Sequence, residues 1–162
     1  MMNDTMVKRD RMRFTKNTAS SRLAILAIVF NVLYFVSIYK SDVGTYYYNI
    51  LIGASILYNL VFMLATFLSS EGVKNYKAGY SWVLAVLGVI QIVRIFILPT
   101  QAHTALVTVN GVEDVAMKDG QYIRLIVYLV ASAACLFAAA AVNLVKSRAL
   151  AAHNASLSET KA

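Results

Sequence analysis

The 162-residue chain holds one cysteine, one proline and seven glycines, and only 14% of its residues are charged. Each scarcity excludes something. A lone Cys135 leaves no intrachain disulfide and no thiol pair for redox chemistry. Its place midway along an apolar run reads as a small packing residue on a helix. With one proline and few glycines, little interrupts a helix, so long helices are expected. The charge content lies below the roughly 25% of soluble domains, while 59% of residues are hydrophobic and mean hydropathy is +0.63. These values belong to a membrane protein, and the length suits one bundle with no second, soluble domain.

Reactive groups are equally scarce. The only histidines, His103 and His153, are far apart and outside the apolar runs, so neither haem nor zinc has a candidate ligand set and no cofactor or metal is expected. A glycine-rich phosphate loop, a Cys-x-x-Cys pair, paired intramembrane aspartates and a Ser-His-Asp set are all missing. No Asp, Glu, His or Lys lies inside any apolar run. A proton-coupled antiporter needs a titratable group at depth, and arginine does not deprotonate. An enzyme would have to work from arginine, tyrosine and amides with no general base, so none is expected. The net charge of +7 flanks the apolar runs instead of interleaving with stacking groups, which argues against nucleic acid as a partner.

What the chain does have is four apolar runs, at about 22–39, 46–68, 80–98 and 121–145. Each reaches the ~20 residues that a helix needs to cross a ~30 Å hydrocarbon core. Lipid offers no partner to free backbone groups, so the runs must be helical despite β-branched and aromatic residues in the first two. The expected fold is therefore an all-α membrane protein, a four-helix transmembrane bundle. A basic tail, 1–21, precedes it and a polar tail, 146–162, follows and frays. The first run is too long for a signal-peptide core and lacks a small-residue cleavage site, so it reads as a retained anchor.

Charge sets the expected orientation. Lys8, Arg9, Arg11, Arg13, Lys16, Arg22, Lys74, Lys77, Lys146, Arg148 and Lys161 fall on one side, and only Lys40, Lys118 and Arg124 on the other. Eleven against three places both termini in the cytoplasm, in a plasma membrane. The sequons at Asn3 and Asn154 then face the cytoplasm and are chance matches. The loop 40–45 makes a tight external connection. In the external loop 99–120, Asn110-Gly111 separates two β-prone stretches, 105–109 and 112–117. This pattern predicts a small external β-hairpin between helices 3 and 4, capping the bundle. Pro99 is expected to end the third helix.

Fixed helix rise converts sequence position to depth. Asn31, Asn59, Gln91 and Ser132 fall within roughly 5 Å of the bilayer centre, one from each helix. Lipid cannot satisfy their hydrogen bonds, so they should face inward and meet, as an interhelical clamp or as the lining of a substrate path. Arg94 lies one turn beyond Gln91 on the same face, ~7 Å toward the outside and level with Tyr34 and Tyr128. Three fates are open to it. It snorkels to the outer headgroups; it pairs with acidic loop residues or with Tyr34 and Tyr128; or it anchors an anion, with Gln91 below and Arg124 nearby. Alanines 131, 133, 134 and 138–141 make the fourth helix a close-packing element, or a face offered to another chain.

These features lead to an expected non-catalytic accessory or structural subunit of a larger membrane complex, of the transport kind. Its partners would be the lipid bilayer and another integral membrane protein, or a second copy docked through the alanine-rich helix. The alternative is a homo-oligomeric channel, carrier or lipid- or anion-binding protein with an outward-facing pocket around Arg94. Its candidate contacts are Arg94, Gln91, Asn31, Asn59, Tyr34, Tyr128 and Arg124.

Overall fold

A computed structural model describes residues 15–39, 46–109 and 112–159. The elements are α1 (Thr18–Ile38), α2 (Tyr46–Lys74), α3 (Gly79–Arg94), a short α4 (Leu98–Thr104), strands β1 (Leu106–Val109) and β2 (Val112–Val115), and α5 (Asp119–Glu159). The chain is mostly helical, and four segments are long and apolar enough to cross a membrane. Around the bundle the neighbours run α1, α2, α3, α5 and back to α1, with α2 and α3 the most loosely joined pair. Leu57, Leu64, Trp82, Phe96 and Val127 are among many large apolar side chains left exposed. That inverts the burial pattern of a water-soluble domain and suits a lipid surround.

Two apolar clusters fill the interior. One joins Ala24, Ala27, Phe62, Leu84, Leu136 and Ala139. The other joins Tyr34, Ile38, Leu98, Met117, Leu125 and Leu129, nearer the hairpin. On α1 and α5 the residue expected at mid-membrane, Asn31 or Ser132, lies between the helix's contributions to the two clusters. Ala133, Ala139 and Ala140 are buried, and α5 packs closely on both α1 and α3. These three alanines thus serve the bundle itself, as small residues that let backbones approach.

Several boundaries differ from those expected. The third helix stops at Arg94, before Pro99, and Pro99 sits in the first turn of α4. Proline removes its own N–H and crowds the carbonyl four residues back, so the break falls on Ile95–Ile97. There the N–H groups of Ile95, Phe96 and Ile97 bond three residues back, at 3.1, 3.1 and 3.2 Å. The Thr100 hydroxyl donates to the freed Ile95 carbonyl at 2.9 Å.

Helix α2 runs past residue 68 to Lys74 because its last turns stay packed: Ser69, Ser70 and Val73 are buried. It ends in a tight motif with Tyr76 at φ 60 and Lys77 N–H bonded to the Gly72 carbonyl at 3.2 Å, a left-handed position usually given to glycine. The segment 146–159, expected to fray, continues α5 as helix.

The strands pair antiparallel, Leu106 with Val115 and Val109 with Val112, where the hairpin was expected. The Asn110-Gly111 turn lies outside the described residues, as do loop 40–45 and both sequence ends. The hairpin does not cap the core, since Leu106, Glu113 and Val115 are exposed. Leu98 and Ala102 of α4, with Met117, close that end instead.

Candidate functional site

Where α3 ends, its last residue carries the one charge buried among the described residues: Arg94 is 7% exposed. Its guanidinium turns inward. Nη1 donates to Asn31 Oδ1 at 2.8 Å and to Gln91 Oε1 at 2.7 Å, and Nη2 donates to Asn59 Oδ1 at 3.1 Å. Snorkelling is therefore not what this arginine does. Helical Cα–Cβ bonds tilt toward the helix N-terminus, so the stem of Arg94 leads back down α3 to the polar layer. Reaching the hairpin end would mean turning against that tilt. The C-terminal end of α3 also carries the negative pole of its dipole, which favours a cation there.

The four mid-membrane residues meet around this charge. Gln91 Nε2 donates to Asn31 Oδ1 at 3.0 Å and to Ser132 Oγ at 3.1 Å. Asn31 Nδ2 donates to Asn59 Oδ1 at 2.9 Å, and the Ser132 hydroxyl donates to the Ala27 carbonyl at 3.0 Å. Asn59 Nδ2 bonds the Ser55 carbonyl of its own helix at 2.8 Å. All three carboxamide oxygens thus point at the guanidinium and their NH₂ groups point away. The cation is solvated by dipoles. Neither ion pair among the described residues includes it: these join Lys74 to Glu71 and His103 to Asp119.

Two rings flank the guanidinium, with centroids 4.7 Å (Tyr34) and 4.5 Å (Tyr58) from its central carbon. Cation–π attraction of this kind strengthens when water is excluded. Tyr34 was expected here; Tyr58 was not. Tyr128 stands half-buried at the edge of the hairpin-side cluster, and Arg124 is exposed on α5. Neither joins the network. Level alone pointed to Tyr128, but the side-chain tilt lowers the guanidinium by nearly a turn, to the level of Tyr58. Its spacing from Asn59 and Ser55 could have signalled a shared, inward-leaning stretch of α2.

The hydroxyls of Tyr34 and Tyr58 are buried beside the guanidinium and make no hydrogen bond of good geometry. Both residues line a cavity of about 250 Å³ with Arg94 and Ser55. Its remaining walls are Leu51 and Ala54 of α2, Ile90 and Val93 of α3, and Ile97 and Leu98 beyond the break. Ala54, Val93 and Ile97 are exposed on the bundle surface, so the cavity opens sideways, at the loose seam between α2 and α3. An apolar slot thus leads from the lipid-facing surface to a buried cation. Ile97 and Leu98, at the break ahead of Pro99, form part of the wall.

A second polar cluster joins the helix ends far from the hairpin, and sequence depth gave no reason to single it out. Asn17 accepts from Ser20 N–H at 3.4 Å as the N-cap of α1, donates to Asn143 Oδ1 at 3.1 Å, and accepts from Lys146 Nζ at 3.2 Å. Asn143 Nδ2 also donates to Ser81 Oγ at 2.8 Å. These bonds fix the start of α1 and α3 against α5. Comparison with family models, with curated proteins and with solved structures finds no match for this chain.

Proposed function

We propose that this is a non-enzymatic, multi-pass membrane protein that binds an anionic amphiphile from the bilayer, with Arg94 as the anchor of the negative group. One observation carries this reading. Arg94 is buried with amide dipoles but no opposite charge around it, beside a cavity open to the lipid-facing surface. Placing an arginine at such depth costs about 2.5–3.5 kcal/mol or more. A clamp of neutral amides would hold the helices in register without that cost, whereas an anion neutralises the charge. The chain's basic-residue asymmetry supports an orientation with both termini cytoplasmic, and we place the chain in the plasma membrane. The cavity then lies in the outer half of the bilayer.

The test is the lipid that travels with the protein. Extracted into polymer-bounded native discs, the wild type should carry an anionic amphiphile that is depleted from discs holding Arg94→Gln. Identical lipid composition in the two preparations would remove the basis of the proposal.

An accessory-subunit role has separate support. Ala134, Ala138 and Ala141 are exposed on α5, and small residues allow another helix to approach closely. A stoichiometric membrane partner recovered by gentle purification, and lost on Ala138→Leu, would establish that role. A species that stays alone would count against it.

A further inference from the structure

We propose that the ligand of the Arg94 cavity is a single-chain carboxylate, a fatty-acid-like monoanion that enters sideways between α2 and α3. The inference rests on reading the cavity as a binding site and names its ligand class. Charge comes first. Arg94 is the one buried charge among the described residues, so the site balances one negative charge. A dianionic phosphate monoester would bring a second with nothing to pair it.

Donor count points the same way. Of the guanidinium's five N–H groups, three are engaged, by Asn31, Gln91 and Asn59. Two remain for a ligand, beside the buried hydroxyls of Tyr34 and Tyr58, residues that line the same cavity. A carboxylate presents about four lone-pair sites. Tyr34 is fully buried, and a buried hydroxyl without a partner is costly to keep unless a ligand uses it.

Size and access complete the argument. A cavity of about 250 Å³ is below the ~300–1,000 Å³ of pockets that enclose drug-sized ligands. It takes a headgroup and the start of one chain, not a glycerol backbone with two. The rest of the chain runs out past Ala54 and Val93 along the apolar α2–α3 seam, where lipid would surround it anyway.

Native mass spectrometry of the detergent-solubilised full chain tests this, with dodecanoate, dodecyl phosphate, dodecanol and phosphatidylglycerol as probes. Dodecanoate should bind one per chain, dodecanol and the two-chain lipid far more weakly. Arg94→Gln should reduce dodecanoate binding at least about tenfold, the worth of a charge-assisted hydrogen bond. Should that variant fold poorly, two others keep the question answerable. Ala54→Phe fills the mouth from an exposed position and should block dodecanoate. Tyr34→Phe with Tyr58→Phe should weaken it several-fold without lowering thermal stability.

Dodecyl phosphate or phosphatidylglycerol binding as tightly as dodecanoate, and lost with Arg94→Gln or Ala54→Phe, would overturn the carboxylate assignment but leave the anion site standing. Undiminished dodecanoate binding in the double tyrosine variant would likewise overturn it. No difference between wild type, Arg94→Gln and Ala54→Phe for any anion would overturn both.

Discussion

Three carboxamide oxygens, from Asn31, Asn59 and Gln91, face one guanidinium, and the residues around it are unequal in consequence. Asn31 accepts from both Arg94 and Gln91 and donates to Asn59. Asn31→Leu should therefore lower stability by about 2–3 kcal/mol, because charge-assisted bonds are lost and the cation stays buried. Unfolding in mixed micelles titrated with denaturing detergent measures it; a loss below about 0.5 kcal/mol would mean the layer is slack. Tyr34→Phe should do the opposite of what its burial suggests. Its hydroxyl makes no hydrogen bond of good geometry, so stability should hold or rise by up to ~1 kcal/mol while the ring stays over Arg94. A marked loss would reveal a hydrogen bond to that hydroxyl.

At the scale of elements, close approach is set by particular residues. A Cβ built on Gly72 would lie 2.2–2.6 Å from the Tyr80 ring, whereas on Gly53 it would meet nothing within 4 Å. Gly53→Ala should stabilise α2 by roughly 0.5–1 kcal/mol through helix propensity, and Gly72→Ala should cost a net 1–2 kcal/mol or so by overpacking the α2–α3 turn. The same unfolding assay compares them, and equal effects would contradict that packing.

The elements also show what a sequence can carry. The four long apolar helices were legible because length and apolarity leave lipid-embedded backbone no alternative. The strands were legible because Asn110-Gly111 divides two β-prone stretches. The inward meeting of Asn31, Asn59, Gln91 and Ser132 followed from depth alone. Depth did not give the direction of a long side chain. It assigned Arg94 the level of its Cα, and so offered Tyr128 where the structure has Tyr58. The place of the break, at Ile95–Ile97, depends on the carbonyl that Pro99 crowds. The helical continuations of α2 and α5 depend on packing beyond the apolar runs.

For the whole molecule, the starts of α1 and α3 lie at one end with residues 143–146 of α5, and the hairpin joins α4 and α5 at the other. In a Cys135→Ser background, a membrane-impermeant maleimide applied to intact cells should label Thr108→Cys, and should label Lys77→Cys only after permeabilisation. The reverse pattern would invert the orientation and place the cavity in the cytoplasmic leaflet.

The central claim concerns where an anionic amphiphile sits and which charge holds it, and photocrosslinking reads both. A long-chain carboxylate bearing a diazirine near its head, irradiated with the reconstituted protein, should label peptides spanning 51–58 and 90–98. That labelling should be competed by unlabelled carboxylate and lost in Arg94→Gln. Labelling spread evenly over the lipid-facing sides of all four long helices, and unchanged in Arg94→Gln, would contradict the account.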